Sequence, residues 1–184
     1  MFLDLDDDAR IGLYKITPDI QHVKNFCRDK NFTCNDDCHI GGSVYKIKKE
    51  ERKFALKIFH DPMIYSNEIL GHSLLQEKFS NYTVNYHFSM YDHAMEVGFI
   101  VMDYIDVTLL DYIEDHEILV EYQKLFTDLL NNNLIHGNLK ESHFRMKDNK
   151  LYILSYSSVK QIGLKPDILR KEYKKHKKML ELLQ

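Results

Sequence analysis

The clearest periodicity along the chain is a helical stripe in EILVEYQKLFTDLLNNN. Ile118, Leu119, Tyr122, Leu125, Phe126, Leu129 and Leu130 recur at three- and four-residue intervals, which predicts an amphipathic helix with one buried face. Elsewhere the pattern alternates. HIGGSVYKIKK and KFALKIF, separated by the polar stretch Glu50-Glu51-Arg52, predict an antiparallel hairpin. Tyr86–Tyr91 and Gly98–Ile105 predict a second hairpin. FRMKDNKLYIL predicts a third, turning at Asp148-Asn149.

Four further segments read as helices. TPDIQHVKNFCRDK has Thr17 as N-cap, Pro18 at the first helical position, and Ile20, Val23 and Phe26 on one face. DPMIYSNEILGHSLLQEKF offers Ser66 and Asn67 as caps, with Pro62 as an earlier start. TLLDYI is a short helix capped by Thr108. A last helix opens at Pro166, with Leu169, Tyr173, His176, Leu180 and Leu183 on its apolar face. Arg170, Lys171, Lys174, Lys175, Lys177 and Lys178 form its solvated face.

Composition narrows the class. With 44% hydrophobic and 12% aromatic residues in 184, the chain can build a substantial core. A net charge of −3 does not suggest a general nucleic-acid binder. No run of eighteen apolar residues is present, and the start of the chain, with its Asp4–Asp8 stretch, is acidic where a secretion leader is basic. We therefore expect no membrane span and a cytoplasmic location. Cys27, Cys34 and Cys38 are an odd number, consistent with reduced thiols. Cys34, Cys38 and His39, with Cys27 or His22, form an irregularly spaced alternative set of zinc ligands.

Candidate chemistry centres on LIHGNLKESHF, Leu134 to Phe144, placed between the long helix and the apolar run LYILSYSS. This order resembles the catalytic loop of the protein-kinase family, H-R-D-L-x-x-x-x-N followed by D-F-G. His136, Leu139 and Lys140 match. The catalytic Asp of the family is Asn138 here, its metal-binding Asn is His143, and the D-F-G Asp is Ser155, in Ser155-Tyr156-Ser157. GGSVYKI resembles the end of the Gly-rich loop, with Gly42 as its last glycine and Val44 on the next strand. The two earlier glycine positions hold Asp37 and His39, and side chains there obstruct close approach of backbone amides to phosphate. Gly41-Gly42 also reads as a plain turn or bulge. Phe54-Ala55-Leu56-Lys57 resembles V-A-I-K.

The resemblance implies an α+β, bilobal kinase-like fold: an extension over 1–30, an antiparallel N-lobe over 31–105, and a truncated, mostly helical C-lobe over 106–184. It implies that Val44 and Ala55 would cover an adenine ring and that Lys57 would meet phosphates. Glu68, with Glu77 as competitor, would be the helix-C glutamate. Met102 would be the gatekeeper, and Asp103, Tyr104 and Ile105 the hinge. The compact, degenerate pattern is similar to kinase-like proteins of large DNA viruses such as iridoviruses, poxviruses and baculoviruses.

Phosphoryl transfer needs a carboxylate near the substrate hydroxyl and oxygen ligands for magnesium. With Asn138, His143 and Ser155 in those places, the expectation is a pseudokinase. Such a protein has no metal, at most weak metal-independent ATP binding, and a protein partner, either a host or viral kinase or a second copy. The alternative is an unorthodox serine/threonine kinase or phosphotransferase that recruits Asp148 or Glu141.

Overall fold

The computed structural model describes residues 19–108, 116–138, 140–163 and 166–182. Thr17, Pro18, the Asp4–Asp8 run, Leu139, Leu183 and residues 109–115, which include all of TLLDYI after Thr108, lie outside the described residues. So do the side chains of Thr108, Ile118, Glu141, Leu169, His176 and Leu180. The chain forms two compact units, one ending at Ile58 and the other beginning at Phe59.

In the first unit, helix α1 (Asp19–Lys30) precedes strands β1 (His39–Gly41), β2 (Val44–Lys49) and β3 (Arg52–Phe59). β2 pairs antiparallel with both neighbours. The expected hairpin forms in a definite register, Val44 opposite Lys57, Lys46 opposite Ala55 and Lys48 opposite Lys53. Period-two alternation sends Tyr45 and Ile47 into the core and leaves Val44, Lys46 and Lys48 on the other face. α1 buries Val23, Phe26 and Cys27, and Phe32 joins the core by stacking on Phe26 and meeting Phe54 edge-on. Before β1 the chain runs alongside β2, where Thr33 exchanges backbone hydrogen bonds of 2.8 and 2.9 Å with Lys48. Gly42 turns the chain from β1 into β2 with φ +54, a conformation that favours glycine.

The second unit opens with helix α2 (Pro62–Phe79), followed by the hairpin β4 (Tyr86–Asp92) and β5 (Val97–Asp103). β5 is buried from Val97 to Met102, the signature of a central strand. The long periodic segment is helix α3 (His116–Asn131), which buries Tyr122, Leu125, Phe126 and Leu129. After it come β7 (Leu134–Ile135), a 3₁₀ turn at Glu141–His143, and the hairpin β8 (Phe144–Lys147) and β9 (Lys150–Ile153). Asp148 and Asn149 both take positive φ (51° and 55°), as a tight two-residue hairpin turn requires. The short strand β6 (Val107–Thr108) pairs with β8, β10 (Lys160–Gln161) pairs with β7, and helix α4 (Pro166–Leu182) closes the described chain. No helix among the described residues is long and apolar enough to cross a membrane.

Two expectations are corrected. The backbone of Thr108 belongs to β6, opposite Arg145, and the helix it was expected to cap lies outside the described residues. Ser66 and Asn67 lie inside α2, which starts earlier because Asp61 caps it with Pro62 in the first turn. Asp61 Oδ1 accepts hydrogen bonds from the amides of Met63 and Ile64 at 2.7 and 3.2 Å. On α4, Tyr173 is 58% exposed, and the buried position beside it is Glu172. Hydrophobicity alone assigned the face wrongly, because a charged group bonded to the Gly137 amide and to Lys175 occupies it.

The cap gives a direct test. Asp61→Ala leaves two orphan amides and is expected to cost about 1 kcal/mol in denaturant unfolding, whereas Ser66→Ala should stay within about 0.5 kcal/mol. Equal effects at the two positions would contradict the assignment.

Candidate functional site

The sequence-predicted residues of the first unit sit on strands. Val44 faces Lys57 across the β2–β3 pair, and Ala55 lies two residues from Lys57, so the three side chains share one face. Gly42 precedes that face in a tight turn. The His39 imidazole folds back onto the Gly42 carbonyl, Nε2 to O 2.7 Å, so this segment is a side-chain-filled turn. Cys27 and Cys38 are buried, and burial above all, with Cys34 acting in the same direction, pushes the Cys27 thiol up to about 12. Among the described residues no group of three or more His, Cys, Asp or Glu is placed to hold a metal ion. The zinc set is therefore not assembled there.

In the second unit the residues converge on Glu68. This side chain is 1% exposed, whereas the competitor Glu77 is exposed. Glu68 Oε2 accepts hydrogen bonds from the amides of Tyr156 (2.9 Å) and Ser157 (2.8 Å). Its Oε1 accepts from the Tyr86 hydroxyl at 3.3 Å. Burial and the Glu68 charge push the Tyr86 phenol well up, which keeps it a donor. One turn along α2, Gly71 lets the helix meet the same segment: a Cβ there would fall 2.0 Å from the Tyr156 carbonyl oxygen. His72 follows on that face. It stacks on Tyr86 (3.7 Å between ring centroids, 8° between planes) and donates Nε2–H to the Val84 carbonyl at 2.8 Å. Tyr156 is fully buried, meets His72 and Tyr86 edge-on, donates its hydroxyl to the Ile153 carbonyl and accepts from the Val84 amide.

His136 holds the segment from the opposite side. Its Nε2–H donates to the Ser155 carbonyl at 2.6 Å, and the ring is 2% exposed. Burial above all pulls its pKa down from 6.5 to about 4, with His143 acting in the same direction. The bond to Ser155 and the charge of Glu68 oppose that shift. Next in the chain, Gly137 has φ +74 and packs against Ser158, whose carbonyl oxygen would lie 2.6 Å from an added Cβ. Asn138 and Lys140 are exposed. The His143 ring donates Nδ1–H to the Asn138 carbonyl at 2.8 Å, closing the loop on itself.

One partner of this loop was invisible in the sequence. Glu172 on α4, 2% exposed, accepts from the Gly137 amide at 3.1 Å through Oε1. Lys175 bonds both Glu172 Oε2 and the Gly137 carbonyl, each at 3.2 Å. The i, i+3 spacing of Glu172 and Lys175 is the one available signal, and surface helices share it. Met102 and Asp103 end β5 and Ile105 follows it: Met102 and Ile105 are buried, and Asp103 is held by His87 of β4 (2.7 Å) and by Asn85 just before β4 (2.8 Å). Burial raises the Asp103 pKa, but those hydrogen bonds outweigh it and hold the carboxyl below its usual value. Asp148, one of the alternative acids, is exposed in the β8–β9 turn.

No protein-family model and no curated protein matches the chain. Solved structures do. The granulovirus kinase PK-1 of Cydia pomonella superposes with TM-score 0.58 at 20% identity, over 78% of this chain and 58% of that one. A chain of the yeast RNA Pol II CTD kinase complex CTDK-1 matches with TM-score 0.54 at 19% identity, over 74% and 48% respectively. The fold is protein-kinase-like. It is α+β, as expected, and the solved kinases that it resembles include a viral one. The chain spans about half the length of these kinase chains.

The pH dependence follows from His136. Its folded-state pKa is depressed, so the unfolded chain takes up a proton first as pH falls. Stability is complete above about 6.5, declines as pH drops toward 4, and the loss is full below that. His72, also lowered by burial, adds in the same direction. Unfolding free energy should fall by about 2 kcal/mol from His136 alone between pH 6.5 and pH 5. Denaturant midpoints across this range check it, with His136→Gln flattening the slope. A wild-type curve flat from pH 7 to 5 would contradict the assignment.

Proposed function

We propose that this kinase-like chain is a pseudokinase that works by binding another protein. The observation that carries the reading is what the loop offers. Around His136 the segment presents backbone groups and neutral side chains where transfer chemistry needs carboxylates. Asn138 is an amide and cannot accept the substrate proton, and loss of a general base costs about 10²–10⁴ in rate. At the positions resembling metal ligands, Ser155 brings a hydroxyl and His143 an imidazole whose Nδ1 is engaged with Asn138. Magnesium favours anionic oxygen, so neither substitutes well. Glu68, the buried acid nearby, holds the amides of Tyr156 and Ser157.

Gly42, Val44, Ala55, Lys57, Met102, Asp103 and Ile105 define the nucleotide site that the resemblance implies. In this reading that site is weak and metal-independent. Apolar side chains at Met63 and Leu70, 71% and 62% exposed and two turns apart on α2, support contact with a protein, either a host or viral kinase or a second copy. Free thiols at Cys27, Cys34 and Cys38 support a reducing compartment such as the cytoplasm of a host cell.

Purified protein with labelled ATP, magnesium or manganese, and generic substrates should transfer no phosphate above background. Calorimetry should find weak or no ATP binding, with no gain from magnesium over EDTA. Robust transfer that Lys57→Met abolishes would overturn the proposal in favour of the unorthodox-kinase alternative.

A further inference from the structure

Three thiols gather where α1 meets the segment that leads into β1, and that segment is a closed loop. At its start Thr33 exchanges backbone hydrogen bonds with Lys48, and at its end the Cys38 carbonyl accepts from the Lys46 amide at 2.6 Å. The two anchors are two residues apart on β2, about 7 Å at roughly 3.4 Å per residue, so the loop starts and finishes close to one place. Between them the chain reverses in a turn from Asn35 to Cys38, closed by the Cys38 amide on the Asn35 carbonyl at 3.1 Å. Cys34 and Cys38 stand at the two feet of this loop. Its tip is tied to α1, where the Lys24 ammonium meets Asp36 Oδ1 at 3.3 Å, and Cys27 lies one turn further along that helix. Cys27 and Cys38 are buried, whereas Cys34 is half-buried and open to solvent. Cys34 pushes up the thiols on both sides of it, an effect of short range that agrees with the backbone geometry.

We propose that Cys34 and Cys38 form an oxidation site, which a peroxide converts to an intramolecular disulfide. In the first step the Cys34 thiolate attacks hydrogen peroxide. The O–O bond breaks, the departing hydroxide takes a proton to become water, and Cys34 is left as a sulfenic acid. In the second step the Cys38 thiolate attacks the Cys34 sulfur. The S–S bond forms, the S–O bond breaks, and the oxygen leaves as a second water. Two thiols lose two electrons in all, and the peroxide is reduced to two waters. Cys34 reacts first because solvent reaches it. Cys38 completes the bridge, and not Cys27, for reasons of charge and of geometry. Burial pushes the Cys27 thiol up to about 12, so its thiolate is scarce. Burial also raises Cys38, but the Lys24 charge opposes the rise, and Lys46, Lys48 and Lys53 share a concavity wall with Cys38. A loop that closes this tightly suits the short Cα separation, roughly 4.4–6.8 Å, that a disulfide spans. Cys27 lies outside the loop, in α1, with its carbonyl taken by the Phe32 amide at 2.8 Å. The bridge pins the segment that enters β1 and the Gly42 turn, and it does not depend on whether the chain transfers phosphate.

The test is peptide mapping of the reduced full chain after brief exposure to hydrogen peroxide, with remaining thiols blocked by N-ethylmaleimide in denaturant. Asp29 and Asp36 lie between the three cysteines, so cleavage before aspartate puts each on its own peptide. The chain should become lighter by two hydrogens and yield a linked Cys34–Cys38 pair that dithiothreitol separates, with Cys27 recovered as a blocked thiol. In Cys38→Ser the linkage should be lost, and dimedone should trap the sulfenic acid on Cys34. A wild-type chain with all three thiols still blocked would overturn the proposal. A Cys27–Cys34 linkage, a disulfide between copies, or oxidation of Cys34 that runs on to sulfinic acid without a bridge would do the same.

Discussion

The second unit depends on one buried charge. A carboxylate withdrawn from water costs several kcal/mol unless its oxygens are satisfied, and Glu68 is satisfied by the amides of Tyr156 and Ser157 and by the Tyr86 phenol. The rest of that region follows from it. For Glu68 to reach two consecutive amides, α2 must lie against the backbone after β9, and only a glycine at 71 permits the distance. The same approach brings His72 onto Tyr86 and Tyr156, and it turns the Ser155 carbonyl toward His136. The segment is held from two sides, by an acid taking its N–H groups and a neutral imidazole giving a proton to its carbonyl.

Much of this arrangement does not depend on which side chains the loop carries. The frame is made of main-chain contacts: the amides of Tyr156 and Ser157, and the carbonyls of Ser155, Asn138 and Gly137. Main-chain groups are present whatever the residue. The Ser155 and Asn138 contacts named here therefore do not depend on the side chains at those two positions. Three of the side chains that make these contacts, Glu68, His136 and Glu172, are buried.

Glu172 and Lys175 extend the same logic to the last helix. Gly137 takes a left-handed conformation against Ser158, and its amide and carbonyl would be orphans without partners from α4. A helix whose exposed side is a run of lysines is thereby anchored by one buried acid. The helix does not rest on apolar packing alone, which is why its buried face carries Glu172 beside the exposed Tyr173.

The sequence by itself determined the elements whose signals are local. The α3 stripe, the alternation of β2 and β3 and the Asp148-Asn149 turn follow from periodicity and turn stereochemistry. Such signals need only neighbours a few residues apart. Glu68 was singled out only through resemblance, because α2 shows no clean apolar stripe: its buried residues are Glu68, Gly71, Leu75 and Phe79. Tertiary structure alone decided the rest. Glu68 meets amides 88 and 89 residues away, and Glu172 meets an amide 35 residues back. A buried charge is favourable only where a distant segment supplies its partners, so no local pattern announces it.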